Sequence, residues 1–177
     1  ITATPVNIPF VAPYRFSYGA IASLTKTVIT LTTEDGVVGL GECADGDRSA
    51  DVEAIGARLI GRDIRLVREA HAACVPGMAY SPWDNVLGKR RVFAGSEMAM
   101  WDARGKTEGV PLWHLLGGKM RDAIPLTEYF AFRDPGPNHP GEATPVEVAR
   151  FCAEMIESHD AQIFEGKLAT HDLTTEI

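Results

Sequence analysis

Residues 93–118 read FAGSEMAMWDARGKTEGVPLWHLLGG, and this stretch decides the fold. Ala94, Met98, Trp101 and Gly105 recur at i, i+4, i+7 and i+11, the spacing of one face of an α-helix. Asp102 with Lys106 and Arg104 with Glu108 are i, i+4 pairs of opposite charge, each a small support on a helix surface. Gly109 then caps the helix, Pro111 suits the first turn of a second one, and Gly117-Gly118 ends that one. This helical pair closes a first domain, residues 1–120.

Back toward the amino terminus, Lys26–Thr33 is rich in β-branched residues, Glu34-Asp35-Gly36 supplies a turn and Val37–Cys43 returns. That pattern predicts an antiparallel hairpin over Lys26–Cys43. Val6–Phe10 reads as a further strand, broken by Pro5 and Pro9, which leads into a long loop through Pro13-Tyr14-Arg15-Phe16-Ser17-Tyr18-Gly19. Over Asp51–Cys74 the pattern turns helical twice, with Ile55, Leu59 and Ile60 on one inner face and Leu66, Ala70 and Ala73 on the next. Two short helices should therefore pack on the hairpin.

After Arg121 the pattern becomes strand, helix, strand: Ile124–Phe132, Pro145–His159 and Gln162–Leu168. Thr144-Pro-Val-Glu147 is a capping box with proline at the first helical position, and Val148, Cys152, Met155 and His159 give the helix an inner stripe. Two strands joined through such a helix form a parallel βαβ crossover. The proline-rich run Arg133–Glu142 between them is a loop.

The 177 residues carry 17 Lys and Arg against 24 Asp and Glu, a net charge of −7. An acidic chain whose basic cluster is Lys89-Arg90-Arg91 offers no footprint for a nucleic-acid backbone. No apolar run reaches the roughly 18 residues of a membrane span. Neither nucleic acid nor a membrane is expected as a partner. Cys43, Cys74 and Cys152 are odd in number, widely spaced and without a C-x-x-C, which argues against a disulfide framework or zinc site and for a reducing cytoplasm. The chain opens on Ile1 rather than Met, and His171–Ile177 starts a helix that does not develop, so both ends read as truncations.

Chemistry concentrates in Ile163-Phe-Glu-Gly-Lys-Leu168. Alternation puts Phe164 and Leu168 on one face, toward helices, and Ile163, Glu165 and Lys167 on the other. In a barrel, Glu165 and Lys167 point inward, with Lys167 at the carboxyl end where such barrels hold their active sites. Pattern alone leaves open an edge-strand lysine paired with Glu165 at the surface.

Gly95–Lys106, continued by Glu108–Gly118, closely resembles the helix signature that joins the two domains in the mandelate racemase and muconate lactonizing enzyme group of the enolase superfamily. Gly36-Val-Val-Gly-Leu-Gly-Glu42 resembles that group's hairpin signature. Within the group, the loop after strand one, Tyr129-Phe-Ala-Phe132 and Phe164-Glu-Gly-Lys-Leu168 look most similar to the glucarate dehydratase relatives. The resemblance implies an α+β capping domain (three-stranded antiparallel sheet plus helices) over residues 1–120, followed by the beginning of a (β/α)8 barrel, whose first two strands fall in residues 121–177. It also implies a magnesium ion, held by carboxylates on later barrel strands beyond Ile177. The implied chemistry is abstraction of a proton α to a carboxylate, with the cation stabilising the enediolate. For the full-length protein this means a magnesium-dependent lyase that dehydrates an acid sugar, an aldarate or aldonate. The alternatives are a racemase or cycloisomerase of the same superfamily, or a capping module without chemistry of its own.

In the resembling family the second barrel strand carries Lys-x-Lys, and its second lysine is the base. Here the motif stands as Glu165-Gly166-Lys167. Lys167 is the catalytic candidate without the second ammonium that would ease its deprotonation, Glu165 becomes a tuner or a substrate contact, and a further alternative makes Lys167 only an electrophilic clamp on the substrate carboxylate. Arg15, Phe16 and Tyr18 lie in the loop that, by resemblance, folds over the barrel mouth and binds the distal end of the substrate. Arginine grips carboxylate and rings exclude water. The bland reading is that Phe16 and Tyr18 only pin the loop. Asp45, Asp47 and Arg48 read as solvated loop charges, and Trp83-Asp84-Asn85, Trp101-Asp102 and the five histidines show no ligand spacing, so no metal ligand is assigned. A barrel takes about 250 residues, whereas residues 121–177 supply 57. This stretch alone should be inactive, and its open strand edges should be covered in a homo-oligomer or by missing strands.

Overall fold

The computed structural model describes residues 1–43, 46–75, 86–167 and 174. They form two compact units, residues 1–7 with 25–120 and residues 8–24 with 121–177. Strands β1 (Thr2–Phe16), β2 (Gly19–Thr32) and β3 (Val38–Cys43) make a sheet in that order. β2 and β3 run antiparallel from Thr27 opposite Cys43 to Thr32 opposite Val38, the hairpin the sequence predicts. Gly36 turns the chain with φ +81° while Thr33 and Val37 close the loop at 3.0 Å.

In the first unit the sheet carries helix α3 (Val86–Glu108), flanked by α1 (Ser49–Leu59) and α2 (Val67–Cys74). Ile29 and Leu31 of β2, Val52, Ile55 and Leu59 of α1 and Phe93 and Met100 of α3 share one core. The helix face differs from the expected one. Ala94 is exposed and Met98 is 49% exposed, whereas Gly95, Ala99 and Ala103 are buried. The sheet dictates this choice. A Cβ on Gly39 would lie 2.0 Å from the Ala99 carbonyl oxygen, and one on Gly41 2.0 Å from that of Gly95. The backbones touch, so only small residues fit the seam, and large apolar side chains are displaced to its flanks.

Asp102 and Lys106 finish the exposed edge of β3. Their pair at 2.7 Å also receives the Leu40 amide on Asp102 Oδ2 at 2.8 Å and places Lys106 Nζ 2.8 Å from the Val38 carbonyl. A sheet edge that offers bare backbone groups is thus occupied by helix side chains. Two expected core positions lie outside: Ile60 is 77% and Leu66 47% exposed, because α1 stops at Leu59 and Leu66 only precedes α2. Gly109 ends α3, with the Val110 amide on the Gly105 carbonyl at 2.9 Å, and a short α4 (Leu112–Leu115) follows.

In the second unit β4 (Glu128–Phe130) and β5 (Phe164–Gly166) pair parallel, with α5 (Pro145–His159) between them in sequence. The strands are shorter than predicted because Pro125 has no amide donor and Ile124 and Leu126 are left exposed. Leu168 lies outside the described residues. Thr144 and Glu147 form the predicted capping box, and Asp160 ends α5 in the left-handed region at φ 52°. Val148 is the buried part of the predicted stripe, while His159 is exposed and reaches Glu128 at 3.1 Å.

The expected long loop at Pro13–Gly19 is instead strand and tight turn. β1 continues to Phe16 because its outer edge finds partners: the Arg15 amide donates to the Phe132 carbonyl at 3.1 Å and the Asp134 amide to the Pro13 carbonyl at 2.9 Å. Pro5, Pro9 and Pro13 share the parity of Arg15, so their missing N–H groups all fall on this edge and cost no ladder bond with β2. The Arg133–Glu142 loop closes on itself through two backbone bonds of 3.1 Å and a bidentate ion pair between the same residues. Glu142 is buried there, and Phe151 lies 5.1 Å from the Arg133 guanidinium.

Candidate functional site

Tyr129 of β4 and Glu165 of β5 are register partners, so both side chains leave the sheet on the same face. Lys167 has the parity of Glu165, and its amide donates to the Phe130 carbonyl at 3.2 Å, which carries the pairing one step past Gly166. The opposite face is occupied: the Phe130 ring lies over Gly166, and Glu128 meets His159 of α5. Glu165 and Lys167 are both exposed. The sheet therefore presents a covered face and an open, charged one, as the alternation predicts.

A row of rings leads from this open face to the hairpin tip. Tyr129 stacks on Tyr14 at 6.0 Å, Tyr14 meets Phe16 edge-on at 4.6 Å, and Phe16 stacks on Tyr18 at 5.3 Å with 8° between planes. The Tyr14 hydroxyl donates to the Tyr129 hydroxyl at 2.6 Å. Burial, that hydrogen bond and the nearby charge of Glu165 push the Tyr14 phenol well above its ordinary 10.0, so it stays protonated. Arg15, on the other parity of β1, is engaged elsewhere: its Nε donates to Asp134 Oδ1 at 2.7 Å. Phe16 and Tyr18 thus share one aromatic row with Tyr14, while Arg15 anchors the hairpin to the Phe132–Asp134 segment. Neither Tyr14 nor Tyr129 was among the sequence candidates. The period-2 spacing of Tyr14, Phe16 and Tyr18 was the available signal, masked by reading the segment as a loop.

Asp47 accepts from the Ser49 amide at 2.9 Å and the Ser49 hydroxyl at 2.6 Å, which lowers its pKa from the ordinary 3.8, and Arg48 faces Asp51. Both belong to the start of α1. Asp45, Trp83-Asp84-Asn85 and His171 lie outside the described residues. Among the described residues no group of three or more His, Cys, Asp or Glu could hold a metal ion, so they do not fit a magnesium centre by themselves. No helix among them is long and apolar enough to cross a membrane.

Residues 1–117 match the family model described as the mandelate racemase / muconate lactonizing enzyme N-terminal domain. The chain belongs to this family. With it comes membership of the enolase superfamily, as the solved relatives attest. A D-galactonate dehydratase family member of Musicola paradisiaca is 38% identical over 102 residues, which cover 54% of this chain and 23% of that protein. An enolase of Pseudomonas fluorescens, solved with bound magnesium, potassium and tartrate, superposes with a TM-score of 0.79 at 25% identity over 99% of this chain and 46% of its own. A Bradyrhizobium enolase complexed with magnesium and mandelic acid gives 0.77 at 26% identity over 99% and 46%. The mandelate racemase family chain described here thus spans less than half the length of these solved relatives. The three-stranded antiparallel sheet with its helices is the capping domain that the sequence predicts.

Proposed function

We propose that the full-length protein is an acid-sugar dehydratase, a lyase that removes the proton α to the carboxylate of an aldonate or aldarate and expels the β-hydroxyl as water. The observation that carries this reading is the parallel pairing of β4 with β5, which sets Glu165 and Lys167 on an open face beside Tyr129 in a chain whose other two thirds match the family. The dehydratase name of the Musicola relative, and the tartrate and mandelic acid bound by the solved ones, support a hydroxylated carboxylic acid as substrate class. Magnesium, held by carboxylates of the full-length protein beyond these residues, would supply positive charge at the substrate carboxylate.

In this reading Lys167 Nζ accepts the α-proton, at the carboxyl end of its strand. Phe16 and Tyr18 exclude water from the distal part of the substrate, and Arg15 fixes the hairpin through Asp134 and offers its remaining guanidinium N–H groups to an anionic end. Glu165 accepts hydrogen bonds from substrate hydroxyls. The protein acts in the cytoplasm on a small carboxylic acid, as a homo-oligomer. The test is incubation of the full-length protein, with magnesium, with D-galactonate and a panel of aldonates and aldarates, followed by detection of the 2-keto-3-deoxy acid. Formation of that product from at least one acid is the expected result, and none from the whole panel overturns the reading.

A further inference from the structure

We propose that Tyr129 and Glu165 together form a recognition site for a hydroxyl group of the substrate, with Tyr14 as the residue that positions Tyr129. This rests on the acid-sugar reading above and goes beyond it by naming the groups that read the sugar. Tyr14 has one proton and donates it to the Tyr129 oxygen at 2.6 Å, at the short end for an O–H···O bond. Tyr129, having accepted, is left with its own proton, for which no described residue is an acceptor. A hydroxyl that accepts one hydrogen bond becomes a stronger donor of the next, because the two polarise each other. Tyr129 is therefore a held, reinforced donor.

Its register partner is Glu165, a carboxylate on the same face of the sheet. A donor beside an acceptor-only group is the complement of an alcohol, which accepts from the first and donates to the second. It is a poor complement of a carboxylate, which would face Glu165 as a like charge, and of a methylene, which would leave both groups unpaired. The ring of Tyr14 is held between the edge-on Phe16 and the stacked Tyr129, so the hydroxyl that orients Tyr129 is itself fixed by ring contacts. Protonation of Tyr14 across the working range keeps this donor direction constant.

The experiment measures dissociation constants, by calorimetry on the full-length protein with magnesium, for hydroxy acids and their deoxy counterparts: tartrate against succinate, and D-galactonate against its deoxy analogues. The parent should prefer the hydroxylated acid. Tyr129→Phe and Glu165→Gln should each weaken the hydroxylated acid about 10-fold and cause no loss for the deoxy acid. Tyr14→Phe, which keeps the stacked ring, should weaken it about 3-fold with no effect on the deoxy acid, a selectivity that a merely structural role would not produce. Equal losses for both acids, no loss in Tyr129→Phe, or a parent that binds none of the hydroxylated acids would overturn the proposal. A protein that keeps the hydroxyl preference but forms no keto acid would contradict the dehydratase reading alone.

Discussion

Each unit of the chain has a glycine pressed against a covering neighbour, and the neighbours differ in kind. Gly41 in the first unit faces a helix backbone, the Gly95 carbonyl, while Gly166 in the second faces the end of a side chain, the Phe130 ring. A backbone inside a packed helix cannot move without its neighbours, whereas a ring can turn about χ1 and χ2. The seam between β3 and α3 is thus fixed by small residues, while the β4–β5 sheet has a cover that adjusts and another face that is open and charged. A rigid scaffold that carries polar groups on adjustable surroundings is the usual division between stability and chemistry.

Substitutions at the two glycines should separate the units most sharply. Gly41→Ala puts a methyl 2.0 Å from a carbonyl oxygen and should destabilise the first unit by about 4 kcal/mol, beyond ordinary overpacking, read as a lower urea midpoint. Arg133→Met comes next, at about 3 kcal/mol, since it leaves the buried Glu142 carboxylate unpaired; adding Glu142→Leu should recover most of that loss. Gly166→Ala should cost only about 1 kcal/mol, because the Phe130 ring gives way. Equal losses at Gly41 and Gly166 would erase the distinction between the β3–α3 seam and the β4–β5 sheet.

The smallest effect is a pH dependence in the first unit. The Lys106 hydrogen bond, with that of the Leu40 amide, holds Asp102 below its ordinary 3.8, so its contribution is present above that value and lost as pH falls through the lower folded value. The pair is partly exposed and screened, so the loss is at most about 1 kcal/mol. Asp102→Asn should lower stability at neutral pH and flatten the acid side of a melting-temperature profile. An unchanged acid limb would mean that Asp102 does not clamp the β3 edge.

Local chemistry made much of this legible in the sequence. The Asp35-Gly36 turn, the Thr144–Glu147 capping box, the i, i+4 pairs on α3 and the strand-helix-strand order are written in neighbouring residues and appear as read. What failed depended on distant partners. The inner face of α3 could not be chosen without knowing that Gly39 and Gly41 bring two backbones together, so Met98 and Trp101 drew the reading that belonged to Ala99 and Ala103. The hairpin tip reads as a loop because Pro9 and Pro13 look like breaks, although β2 pairs right after the turn and the proline edge faces Phe132–Asp134, more than a hundred residues on. The same error hid Tyr14, and with it the hydroxyl pair at Tyr129. Glu165 and Lys167 were legible because alternation alone puts them on one face.

Lys167 stands at the centre of the account, and the most direct test is α-proton exchange with deuterium in the full-length protein, followed by NMR on an acid sugar that the parent turns over. Lys167→Met keeps a linear side chain of similar length and removes the proton acceptor, so exchange should fall by at least the roughly 10² that a general base contributes. Exchange by Lys167→Met at the parental rate would contradict the account and put the base elsewhere.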